Sequence, residues 1–244
     1  MYSQIFLDGT LNLFTDASIE PLPKGGWNGC AGVVSVFRDF YDTKTGSGYE
    51  DKAQVANMKI LYDCTNNIAE LTGILLGVEY AIRHQDVFER INLFSDSRIS
   101  VQALRDWIFN WIQYPRYKNS AHNPNVHLLI NTSGVVKNQV LIKNIINAIC
   151  MIDPDKCDFN IYHCKGHATQ FKVVQDTFRK FNGFSINEYD ASQILYYNDM
   201  IDHATRNYLL SHVYNPNDIL NVTPFAIDPT PEKLRLYHSI MKGG

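Results

Sequence analysis

Three acidic residues fall beside elements with strong local patterning. Asp16 closes Leu11-Asn12-Leu13-Phe14-Thr15-Asp16, Glu70 lies within Thr65-Asn66-Asn67-Ile68-Ala69-Glu70, and Asp96 follows Ile91-Asn92-Leu93-Phe94-Ser95. Farther on come Lys165-Gly166-His167 and then Asn198, Asp202 and Arg206 at intervals of four. Taken singly, each residue has a bland reading. Asp16 and Asp96 could serve turns, Glu70 could complete a capping box, and His167 could be a structural histidine. Several carboxylates gathered by one sheet behave differently. Unpaired, they repel one another and lose hydration, so they call for cations. A ligand set made only of oxygen favours a hard ion, Mg²⁺ or Mn²⁺.

The elements that must position these groups follow from periodicity. Leu11–Asp16, Ala31–Phe37 and Met58–Tyr62 read as strands of an antiparallel meander. Ile68, Leu71, Leu75, Val78 and Ile82 recur every three or four residues and predict a helix, with Asn67 as its N-cap. Ile91–Ser95 is a fourth strand and Phe159–His163 a fifth. Helix is expected from Arg98 through Trp107 and Trp111, from Val135 to Ile149, and over Phe171–Phe181. A long helix through Ile194, Ile201 and Tyr208 should follow a capping box at Ser185–Glu188. Pro216, Pro224, Pro229 and Pro231 leave the end irregular, apart from a short helix at Glu232–Met241. The order β-β-β-α-β-α…β-α predicts an α/β (α+β mixed) fold, one mixed sheet flanked by helices.

These pieces resemble the type 1 ribonuclease H family. The likeness rests on Phe14-Thr15-Asp16-Ala17-Ser18, the Gly25-Gly26 turn, Thr65-Asn66-Asn67 with Glu70, Asp96-Ser97, Lys165-Gly166-His167, and the Asn198–Asp202–Arg206 helix. It spans roughly residues 9–210, and it implies a five-stranded ribonuclease H-like sheet and an endonuclease that cuts the RNA strand of RNA–DNA hybrids. The products would carry 3′-hydroxyl and 5′-phosphate ends. Two Mg²⁺ ions, or Mn²⁺ as a substitute, about 3.5–4 Å apart would serve the attacking water and the leaving oxygen. By the same resemblance Asp16 bridges both ions, Glu70 and Asp96 hold the ion at the leaving group, and Asp202 holds the ion at the water. His167 assists proton handling or product departure. Asn66 and Asn67 match readers of the RNA 2′-hydroxyls. Thr65 and Asn138 match a pocket for a DNA phosphate, and Trp107 and Trp111 match handle aromatics that could equally be core. Arg116 and Lys118, interleaved with Tyr114 and Tyr117, suit backbone contact. Where many members carry an arginine two residues before the threonine, this chain has Asp63.

The fourth carboxylate stays open. Family members place it soon after the histidine. Asp176 lies nine residues beyond His167 and Asp202 thirty-five. Spacing favours Asp176; the flanking Asn198 and Arg206 favour Asp202; Asp199 is a third candidate. With Asp202, about residues 169–197 become an insertion in a catalytic domain of residues 1–212, followed by a C-terminal extension over 213–244. The aromatics Phe171, Phe178, Phe181 and Phe184 should make that insertion a packed helix rather than a loose loop.

Composition narrows the alternatives. With 244 residues, 45% hydrophobic and 19% charged, the chain can bury a large core and is not globally disordered. No apolar run approaches the roughly 18–20 residues of a membrane span, and the start lacks a signal-peptide pattern. Five scattered cysteines suit reduced thiols and a cytoplasmic setting. The net charge of −3 hides an asymmetry: Trp107–Cys150 has no acid and four cations, Arg116, Lys118, Lys137 and Lys143. That stretch could be a solvated face or a phosphate-attracting patch. Zinc on Cys157, His163, Cys164 and His167 is disfavoured, because neighbours on a strand face opposite ways. A phosphate loop at Lys24-Gly25-Gly26 lacks its helix. A nuclease acting on other nucleic-acid structures and a catalytically silent hybrid-binding module remain competing readings.

Overall fold

The computed structural model describes residues 5–22, 26–43, 46–113, 128–212 and 228–243. Strands β1 (Thr10–Pro21), β2 (Trp27–Thr43) and β3 (Gly46–Leu61) form the meander. Helix α1 (Asn66–His84) crosses back, so that β4 (Arg90–Ser95) runs parallel to β1. A helical run follows as α2 (Arg98–Gln102), a π-helical stretch (Ala103–Trp107) and α3 (Ile108–Gln113). Two short strands, β5 (Ile130–Asn131) and β6 (Gly134–Val135), pair with each other. Then come α4 (Gln139–Ile149), β7 (Asp158–His163), α5 (Phe171–Asn182), α6 (Glu188–Ser211) and α7 (Pro231–Gly243). The main sheet has the order β3-β2-β1-β4-β7, antiparallel on one side and parallel on the other. It is the expected five-stranded mixed sheet flanked by helices.

The two-residue period of the central strands divides the core. Leu11, Leu13, Ile91, Leu93, Phe159 and Ile161 face one side, where α1, α4 and α7 cover them. Phe14 and Phe94 face the other, beneath α5 and α6, with ring centroids 4.7 Å apart and nearly parallel. Such a stack adds about 0.5–1.5 kcal/mol beyond burial. Both faces are covered, so Thr10–Asp16 of β1 and Ile91–Ser95 of β4 are buried. Among the described residues no helix is long and apolar enough to cross a membrane.

Several local expectations need correction. The N-cap of α1 is Thr65, whose hydroxyl accepts from the Ile68 amide at 3.3 Å; Asn67 lies inside the helix. Strand β1 continues five residues past Asp16, because β2 pairs with it as far as Pro21. Helix α4 begins at Gln139 rather than Val135. Val135 belongs to β6, the Val136 amide bonds the Leu129 carbonyl, and Asn138 sits left-handed at φ 59°. The cap of α6 is Asn187, not Ser185. The segment over 169–197 forms packed helix as expected, but its aromatics divide. Phe178 is fully buried, Phe181 and Phe184 are half-buried, and Phe171 is 42% exposed. Helix α7 joins the main core: Tyr237 is fully buried and its hydroxyl donates to the Leu104 carbonyl at 2.7 Å.

Candidate active site

The parallel pairing of β1 with β4 stops at Thr15 and Ser95. Asp16 is the next residue of β1 and Asp96 the first residue after β4, so the two carboxylates emerge side by side where the pairing ends. Open α/β sheets bind ligands at this end of parallel strands. Helix α1 packs across β1 and turns Glu70, in its first turns, toward the same point. The backbones meet closely there: a side chain at Gly73 would come within 3.3 Å of the Asp16 carbonyl. The result is a nest in which carboxylate oxygens of Asp16, Glu70 and Asp96 lie within 4.8 Å of one another. Glu70 is therefore buried as part of a carboxylate cluster, not spent on a capping box.

The nest is electrostatically unfavourable as built. Burial, then the Asp96 charge, raises the Asp16 carboxyl well above the usual range. Burial, then Asp16 and Asp96, pushes Glu70 up to about 9. Asp96 is also raised, chiefly by burial, although hydrogen bonding from Asn198 opposes the shift. The Ala17 amide donates to Asp16 Oδ1 at 2.7 Å, whereas Glu70 Oε2 is buried without a hydrogen-bond partner. A buried oxygen of this kind is costly unless something satisfies it. Three oxygen donors with one unsatisfied atom and no cation among them fit a hard divalent ion. Among the described residues no other group of His, Cys, Asp or Glu gathers in this way. Cys157 and Cys164 belong to cores on opposite sheet faces, which removes the zinc arrangement.

Helix α6 packs along β1 and β2 and brings Asp202 to the rim of the nest. Asp202 raises all three other carboxyls by its charge, and its Oδ2 lies 3.8 Å from His167 Nδ1. Asn198 and Thr205 share its helix face and are buried; Thr205 Oγ1 pairs with Ser18 Oγ at 3.0 Å. The competing acids are more exposed than Asp202 and are not in the carboxylate cluster. Asp176 is exposed on α5 beside Arg179, and Asp199 is exposed beside His203. The loop after β7 approaches so closely that a Cβ on Gly166 would collide with the Asp96 carboxylate. Any larger residue there would have to displace Asp96 or the loop, and His167 follows in a left-handed conformation at φ 51°, largely exposed.

The anticipated substrate contacts fall in two groups. Thr65, Asn66 and Asn67 are exposed at the start of α1, where Asn66 also hydrogen-bonds Glu70. Asn67, Trp107, Trp111, Lys137 and Asn138 line one cavity of about 300 Å³ between α1, the π-helical stretch and α4. Its tryptophan rings lie 6.1 Å apart at a tilt of 52°; Trp107 is exposed, whereas Trp111 is partly buried and packs against the main core. Arg116 and Lys118, with Tyr114 and Tyr117, lie outside the described residues. The cationic stretch is also smaller than it looked, because Lys143 is buried against Asp228. Two features escaped the sequence reading: the hydrogen bond from Asn198 to Asp96, and the cations Arg98, Lys165 and Lys180 that gather beside the nest. Asn198 was visible only as context for Asp202.

The chain spans 88% of its length against the prototype foamy virus protease–reverse transcriptase, at 18% identity and a TM-score of 0.51, covering 22% of that protein. The foamy virus RNase H domain matches 78% of this chain and 94% of its own, at 17% identity and a TM-score of 0.45. LC9-RNase H1, a type 1 RNase H with the type 2 active-site motif, matches 76% of this chain and 78% of its own, at 19% identity and a TM-score of 0.46. The first of these shows a shared fold. No curated protein matches. The RNase H family itself matches residues 8–177, which take in Asp16, Glu70, Asp96 and His167 and stop short of Asp202. With that match over more than half its length, the chain belongs to the RNase H family of nucleases.

Proposed function

We propose that the chain hydrolyses the RNA strand of RNA–DNA hybrids, using two Mg²⁺ ions for which Mn²⁺ can substitute. The observation that carries this reading is the buried nest of Asp16, Glu70 and Asp96 with an unpartnered Glu70 oxygen. Asp16 would hold both ions, Glu70 and Asp96 the one toward the leaving group, and Asp202 the one toward the water. The ions supply Lewis acidity toward the attacking water and the leaving oxygen. The chain's own residues do the rest. The packing of β1 against β4 and α1 fixes the carboxylates before substrate arrives, so little reorganisation is needed on reaction. Asn66 and Asn67 present amides to the 2′-hydroxyls of the RNA strand, which duplex DNA lacks. Water adds to phosphorus and the bond to O3′ breaks, leaving a 3′-hydroxyl and a 5′-phosphate. His167, exposed and facing Asp202, takes up or releases the proton of this exchange.

The test is cleavage of end-labelled RNA–DNA hybrid, duplex RNA and duplex DNA, with Mg²⁺ and with excess chelator. Cutting of the hybrid's RNA strand alone, abolished by chelator, is expected. Equal cutting of duplex DNA would replace this reading with a broader nuclease. Binding of hybrid without any cleavage would leave a silent binding module.

A further inference from the structure

Helix α5 encloses a second feature beside the carboxylates. A groove of about 560 Å³ lies between α5 and the ends of β4 and β7; Asp96 and His167 belong to its wall. Three cations also line it: Arg98 at the start of α2, Lys165 after β7, and Lys180 on α5. Among the described residues none of the three has a carboxylate within ion-pair distance. The one other acid in the groove, Asp176, is beside Arg179. Phe181 organises the cations: the Arg98 guanidinium lies 4.6 Å and the Lys180 ammonium 5.3 Å from its ring centroid. The ring in turn meets His163 edge-on at 5.1 Å. The end of α5 is pinned rather than loose. Asn182 accepts from the His163 amide at 3.1 Å, donates to the His163 carbonyl at 2.9 Å, and accepts from Arg105 at 2.8 Å.

We infer that this groove grips backbone phosphates of the cleaved strand next to the linkage that is cut, with Arg98, Lys165 and Lys180 as positioning residues. The inference rests on the hybrid hydrolysis proposed above. Three like charges lining one groove, none tied up in an ion pair among the described residues, suit a polyanion; guanidinium and ammonium groups are the usual phosphate binders. Contiguity selects the strand. Asp96 lies both in the nest and in the groove wall, so a strand with one phosphate at the carboxylates continues directly into the groove. The cavity around Trp107 and Asn138 shares no wall residue with this groove and is lined by none of the three nest carboxylates.

The experiment follows steady-state cleavage of a labelled hybrid by the full chain across NaCl concentrations. It compares wild type with Lys180→Gln, Lys165→Gln/Lys180→Gln and Lys180→Arg. Losing one phosphate contact should lower the slope of log KM against log [NaCl] by about 0.7–0.9, which is roughly eightfold in KM at 0.1 M salt. For Lys180→Gln, kcat should stay within about twofold, and Lys180→Arg should restore the wild-type slope. A single methylphosphonate in the RNA strand beside the cut should penalise wild type and add nothing further to Lys180→Gln. Unchanged KM and slope in both glutamine variants would overturn the inference while leaving the hydrolysis intact. A penalty that tracks methylphosphonates in the DNA strand would overturn the strand assignment. If wild type fails to cut hybrid at all, the hydrolysis reading itself falls.

Discussion

The carboxylate nest and the cationic groove share Asp96 as a wall, yet they are built on opposite terms. The nest is largely buried and its carboxyls repel one another. Its acids come from a strand pair and a helix locked together by the core, so their charges cannot move apart. The groove is wet and its cations extend from exposed positions, two of them against one aromatic ring. Charges in a dry site act strongly and cost stability; charges in a wet site act weakly and are screened by salt. Chemistry at phosphorus needs the first kind of place and holding a strand needs the second. Strands β1 and β4 and helix α1 supply the nest, whereas α5, lying between the histidine loop and α6, supplies much of the groove.

The comparison can be broken most severely at the nest. Asp16→Asn should lower hybrid cleavage by about a thousandfold or more, the scale on which a principal electrostatic group acts, without loss of fold. Asp202→Asn should do nearly the same, and Asp176→Asn should remain close to wild type. A dead Asp176→Asn with an active Asp202→Asn would transfer the fourth acid to the groove and erase the distinction. Gly166→Ala tests the shared wall. Its new methyl must push Asp96 aside, and displacement on that scale costs about a hundredfold in rate. Activity within a few-fold of wild type would mean that the loop yields and the nest is not rigid.

Screening separates the two regions next. The roughly eightfold effect of Lys180→Gln should fade as NaCl rises, whereas the Asp16→Asn defect should not. Equal salt dependence of both variants would undo the contrast between buried and exposed.

The smallest expected effect is on stability. Glu70 is raised from 4.5 to about 9, so between those pH values the folded chain holds a proton that the unfolded chain has released. Stability without metal must therefore fall as pH rises through this window. Melting temperatures in chelator should drop by several degrees from pH 5 to pH 9, at about 2–4 °C per kcal/mol for a chain of this size. Glu70→Gln should flatten the fall, and Mg²⁺ should stabilise the wild type more at the higher pH. A flat wild-type profile would show that the nest is not strained by its charges.

How much could be read in advance depends on the range of the interaction. The strands and helices were legible because their periods of 2 and about 3.6 are local, and Leu11, Leu13 and Phe14 already divide between two faces along the chain. Helix boundaries were less so. Asn138 and Gly134 take left-handed or unusual backbone conformations, and these delay α4 until Gln139. Lys143 counted toward a cationic patch until α4 was seen packed against the segment that carries Asp228.

By itself, then, the sequence determined the order of elements, the mixed sheet, and which acids and which histidine stand where elements end. Only the tertiary structure decided what those residues do together. Glu70 serves the nest because α1 lies across β1, and a helical period cannot say which neighbour a helix chooses. Asp202 rather than Asp176 reaches the carboxylates because α6 packs along β1 and β2, while α5 turns Asp176 toward solvent. Lys180 becomes a neighbour of Arg98 only because Asn182 ties the end of α5 to β7. Spacing along a chain measures contour length, and catalysis depends on distance through space, which only the packing of the helices on the sheet sets.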